Sequence, residues 1–134
     1  SIDTNWEGKA QAAIDALLKD GCDFAYIHVE APDEMAHQGL TEEKVKSIEY
    51  LDSRIVAPVR KAMEEAGEDY RLLLLPDHPN LLRLRTHTPD PVPYVFFDST
   101  RQQKKIARYG ETEAKATGLF EPQGHKLMER FLQK

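Results

Sequence analysis

The sequence predicts an α/β fold, a mostly parallel sheet with helices on both faces. Two observations carry that prediction: short segments that are apolar without alternation (DFAYIHV over 23–29, YRLLLL over 70–75, YVFF over 94–97), and amphipathic helical stretches that separate strands. At 134 residues the chain is long enough to bury a core and short for more than one domain, so residues 1–134 are expected to form one.

Thr4 or Asn5 can cap a first helix, in which Trp6, Ala10, Ala13, Ile14, Leu17 and Leu18 recur at spacings of three and four until Gly21. The strand over 23–29 follows, and the proline and polar residues of 30–40 then predict a loop. Thr41 is expected to cap a second helix with the apolar stripe Val45, Ile48, Leu51, Ile55, Val59 and Met63. It should end near Gly67 and kink at Pro58, which lacks an amide hydrogen. After the second strand, prolines at 76, 79, 89, 91 and 93 punctuate a polar connection to the third. A last helix over about 123–132 places Leu127, Met128, Phe131 and Leu132 on one side.

The charge balance is 18 basic against 23 acidic residues, net -5, which argues against a broad cationic face for nucleic acid or anionic lipid. The aliphatic run Leu72 to Leu75 is far shorter than the roughly 20 residues that cross a bilayer. With one cysteine, Cys22, no internal disulfide can form, and no leader is visible. A soluble, cytoplasmic protein without membrane or nucleic-acid partners is therefore expected.

In a sheet of this kind ligands collect at the carboxyl ends of the strands. Three acid and histidine groups fall there. Asp33 and His37 are four apart, so a local helical turn would aim both side chains the same way. Asp77 and His78 sit at the mouth of the second strand, and His87 lies in the connection before the third. Two carboxylates and three imidazoles suit Mn²⁺ or Zn²⁺ rather than Ca²⁺. Other residues keep ordinary readings: His28 as a hydrogen-bonded core histidine, His125 as a surface group, Cys22 as a small buried residue, and Lys104 and Lys105 as solvated charges. Arg83 and Arg85 lie near the proposed site, where they could meet a phosphate or simply be solvated.

HVEAPDEMAH (28–37), LLLLPDHP (72–79), RTHTPDPVPYV (85–95) and GHKLMERFL (124–132) together resemble the archaeal-type, cofactor-independent phosphoglycerate mutases of the alkaline phosphatase superfamily. The blocks occur in the family's order, and the opening DTNWEGKA resembles the segment after that family's cap domain. The resemblance implies two divalent metals, Mn²⁺ or Zn²⁺ first and Mg²⁺ or Co²⁺ compatible. Asp33, His37 and His87 would hold one ion, with Asp77 and His78 supplying part of the second site. It also implies a phosphoglycerate substrate, with interconversion of 3-phosphoglycerate and 2-phosphoglycerate through a phosphoserine.

Two departures stand within the motifs: Ala36 where a glycine commonly precedes the histidine, and Asn80-Leu81-Leu82 after PDHP. No segment matches the family's serine nucleophile, since Ser47 and Ser53 fall on a predicted helix and Ser99 after the third strand. Five side chains are also too few for two ions. The chain is thus expected to be the carboxyl-terminal portion of a larger metalloenzyme core, inactive alone and prone to self-association through an uncovered strand edge. Two alternatives stand beside this: another phosphomutase or phosphatase of the superfamily, and a non-catalytic module that binds a metal or a partner.

Overall fold

The computed structural model describes residues 2–101 and 108–134; Lys104 and Lys105 lie outside the described residues. Two compact units emerge, one of Ser1–Glu68 with Asn80–Thr88, the other of Asp69–Pro79 with Pro89–Lys134.

In the first unit, Asn5 starts helix α1 (Trp6–Leu18) by accepting the Gly8 amide on its side-chain oxygen at 3.0 Å. Trp6, Ala10 and Ala13 form its buried face. The chain leaves α1 through Gly21 at φ 73°, a left-handed conformation that glycine adopts without a Cβ penalty. Cys22 bonds its amide back to Ala16 and is exposed, not buried as expected, because this turn directs it outward. Residues 23–29 join no strand ladder among the described residues. Their burial alternates. Ile27 and Val29 pack against the core, while Phe24 and Tyr26 are exposed. The expectation of a strand buried on both faces is corrected accordingly, and with it His28, which is exposed, stacks on Tyr26 and lies 3.6 Å from Glu30.

The predicted loop over 30–40 contains a short helix, α2 (Ala31–His37). Pro32 is tolerated there because the first turn of a helix has no intrahelical use for its amide hydrogen. Helix α3 (Thr41–Leu51) starts one residue earlier than predicted, with Leu40 at the cap, and leads through a π-helical turn (Asp52–Val56) into α4 (Ala57–Glu65). Pro58, where a kink is predicted, directly follows that wider turn, in which the Ala57 amide reaches back five residues to Asp52. Of the predicted stripe, Ile55 and Met63 are buried and Val45 and Ile48 exposed. Trp6, Ala10, Ala31 and Ile55 form the core, with Tyr50 edge-on to Trp6 at 5.9 Å. Two short strands, β2 (Asn80–Leu81) and β3 (Thr86–His87), close this unit as an antiparallel hairpin.

The second unit pairs β1 (Arg71–Leu74) with β4 (Val95–Asp98), Leu72 opposite Phe97 and Leu74 opposite Val95. The α/β class stands, yet both pairings are antiparallel where a mostly parallel sheet was expected. The physical reason is the connection: parallel neighbours need a crossover, usually a helix, and no helix lies between β1 and β4. Helices α5 (Glu111–Ala116) and α6 (His125–Leu132) complete the unit. Leu127 of α6 is buried, and Phe131 meets Phe96 edge-on at 5.8 Å. Arg71 bonds Asp98 at 3.1 Å through Nε, and through Nη1 donates to the carbonyls of Phe131 and Gln133. Those carbonyls lie at the end of α6, where intrahelical donors have run out.

Candidate metal centre

Helix α2 does what the four-residue spacing of Asp33 and His37 requires, bringing both side chains to one face. The hairpin brings His87 to the same place. His37 Nε2 lies 3.1 Å from His87 Nε2 and 3.3 Å from Asp33 Oδ2, and His87 Nε2 lies 3.0 Å from Asp33 Oδ1. All three side chains are partly open to solvent.

The protonation pattern follows from the neighbours. His37 Nδ1 faces the Arg85 carbonyl at 3.0 Å, and a carbonyl only accepts, so Nδ1 carries the proton. In a neutral ring Nε2 then presents a lone pair to the cluster. Arg85 reaches this position at φ 52°, a rare conformation for a residue with a side chain. Its guanidinium lies against Gly39, where an added Cβ would stand 2.5 Å from Arg85 Nε. Burial pushes the Asp33 carboxyl up, but the hydrogen bond from Asn80, the nearby His37 and the hydrogen bond from His87 together hold it below its usual range. It is a ready anion.

These donors fit a divalent ion. Each of the three residues offers one ligand atom, and the atoms lie within 4.8 Å of one another. Nitrogen and oxygen ligands at about 2.0–2.1 Å from a tetrahedral ion stand roughly 3.4 Å apart, close to the separations seen here. A hydrogen bond of the neutral pair would occupy one lone pair; a cation would satisfy all three donors at once.

A family model described as the metalloenzyme superfamily matches residues 1–134. The chain belongs to the metalloenzyme superfamily. Among relatives of this metalloenzyme chain, a protein of Geobacter sulfurreducens named probable 2,3-bisphosphoglycerate-independent phosphoglycerate mutase is 48% identical over 132 residues. The match covers 98% of this chain and 32% of the relative. A Methanothrix thermoacetophila protein named 2,3-bisphosphoglycerate-independent phosphoglycerate mutase is 41% identical over 128 residues, 96% of this chain and 32% of the relative. The chain thus spans about a third of the length of these relatives. The PH0037 protein of Pyrococcus horikoshii superposes with a TM-score of 0.66 at 23% identity, over 86% of this chain and 33% of that one, which shows a shared fold.

The other residues singled out from the metalloenzyme sequence divide plainly. Asp77 and His78 belong to the second unit and pair with each other, His78 Nε2 to Asp77 Oδ2 at 3.0 Å, while the His78 amide donates to Asp77 Oδ1 at 3.0 Å. His125 is exposed, as expected, and so are Arg83 and Arg85. The serines outside the family's motif are used structurally: the Ser47 and Ser53 hydroxyls donate to the carbonyls of Lys44 and Glu49, and Ser99 Oγ accepts the Tyr70 amide. Sequence reasoning met Asn80 only as a departure after PDHP, yet it touches the Asp33 carboxylate directly. Among the described residues no helix is long and apolar enough to cross a membrane.

Proposed function

We propose that this chain supplies the metal-binding part of a 2,3-bisphosphoglycerate-independent phosphoglycerate mutase that interconverts 3-phosphoglycerate and 2-phosphoglycerate in the cytoplasm. Asp33, His37 and His87 hold one divalent ion, Mn²⁺ or Zn²⁺ by donor type, and Asp77 and His78 contribute to a second. The observation that carries this reading is the meeting of one carboxylate and two Nε2 atoms, from a helix and a hairpin, within ligand reach. The names of the relatives support the substrate. Bound there, divalent ions would neutralise charge on a transferring phosphoryl group and lower the pKa of a hydroxyl nucleophile. The chain's own contribution is to keep Asp33 ionised and the His37 proton on Nδ1. The serine that carries the phosphoryl group would come from a part of the enzyme that these 134 residues do not match.

The test exchanges the matched residues of the Geobacter relative for this chain. The chimera should interconvert the two phosphoglycerates with Mn²⁺, and Asp33→Ala within it should abolish turnover. A folded chimera that retains metal by atomic absorption yet is inactive would reject the reading.

A further inference from the structure

Asn80 is buried, 7% exposed, and sits at the start of β2 directly opposite His87 in the hairpin register. Its Nδ2 group donates to Asp33 Oδ1 at 2.8 Å and lies 3.3 Å from the Asp33 backbone oxygen. Both partners are acceptors, so only the amino end of the amide can face Asp33. Lys44 Nζ holds the Asn80 carbonyl at 2.7 Å, which fixes the backbone from which the side chain reaches. The far end of the amide, Oδ1, is buried without a hydrogen-bond partner among the described residues. An unsatisfied buried acceptor is destabilising, so for packing alone an apolar side chain of the same branching, such as leucine, would serve better.

From this arrangement we infer that Asn80 is a positioning residue of the metal centre: it anchors Asp33 Oδ1 and so keeps the carboxylate in one orientation toward His37 and His87. The inference rests on the metal reading above. Partners that orient ligands in this way are worth about 10–100-fold in metal affinity.

The experiment compares the unsubstituted chain with Asn80→Leu, titrating each with Mn²⁺ by calorimetry and following its thermal midpoint by circular dichroism. Asn80→Leu should lose about tenfold or more in affinity while it keeps its helical signal and a cooperative transition above the titration temperature, a combination that a merely structural role would not produce. A loss below about fivefold with the helices intact overturns the inference and leaves the metal reading standing. If the unsubstituted chain itself binds no Mn²⁺, the metal reading falls and the inference with it. Should Asn80→Leu fail to fold, amide NMR of the unsubstituted chain decides. The Asn80 side-chain protons should resonate downfield as carboxylate-bonded donors and move back in Asp33→Ala, and no response to that substitution overturns the inference.

Discussion

His37 Nδ1 and the Arg85 carbonyl oxygen, 48 residues apart in sequence, meet at 3.0 Å, and this single bond decides which nitrogen of His37 is bare. Nitrogen-15 NMR of the metal-free chain near neutral pH should therefore show His37 in the Nδ1–H tautomer. Adding Zn²⁺ should shift Nε2 of both His37 and His87, and His87→Ala should lower the affinity at least tenfold. An Nε2–H tautomer for His37 would contradict the donor assignment.

The purified 134-residue chain is expected to show no interconversion of the phosphoglycerates with Mn²⁺. Ser47, Ser53 and Ser99 are all engaged with backbone groups. Turnover above the background of an Asp33→Ala control would refute this.

Acid should weaken the second unit in a defined window. The Thr100 hydroxyl and amide, and then the Arg71 guanidinium, outweigh burial and hold the Asp98 carboxyl down to about 2. A lowered pKa in the folded state gives stability that is fully present above the ordinary carboxylate value of 3.8 and is lost as pH falls from there through about 2. Denaturant titrations between those limits should show that loss, and Asp98→Asn should flatten it. An unchanged slope in the variant would assign the acid sensitivity elsewhere.

Trp6→Ala should destabilise the first unit by about 3–5 kcal/mol, the range for removing a buried aromatic. Trp6 is 1% exposed and carries the edge-on contact with Tyr50, so both packing and cavity contribute. Chemical denaturation gives the number, and a cost under about 1 kcal/mol would mean that the site collapses around the smaller side chain.

Residues 23–29 should mediate self-association. They lie outside any ladder among the described residues and present Tyr26 at 72% exposure. Backbone that joins no ladder can template pairing with another chain, as the edge strand of a sheet does. Light scattering should give a mass that rises with concentration, and Tyr26→Lys should suppress the rise. A constant monomer mass would count against it.

How far the sequence could be read depended on whether a feature is local. The Asn5 cap and the Trp6, Ala10, Ala13 face are periodic and were legible. The alignment of Asp33 with His37 was legible as a conditional, since a four-residue spacing needs only one helical turn, but α2 itself was hidden by the proline and polar residues around it. The run over 23–29 predicts a strand buried on both faces because apolar composition does not reveal which side chains face outward. Strands of two residues have no period to detect, so β2 and β3 could not be foreseen. Neither could the Asn80 contact with Asp33, 47 residues distant, nor the left-handed turn at Arg85, a residue type with no preference for it.

The grip of Arg71 on the carbonyls of Phe131 and Gln133 bears on how the protein is made. Synthesis delivers residues in order, at about 5–20 per second, and a unit can close only when its last partner has left the ribosome. The first unit has all its residues once Thr88 is out. In the second, Arg71 must wait some sixty residues for its acceptors, a long loop whose closure entropy grows with its length. During that interval β1, with its row of leucines, is a nascent segment without its final clasp.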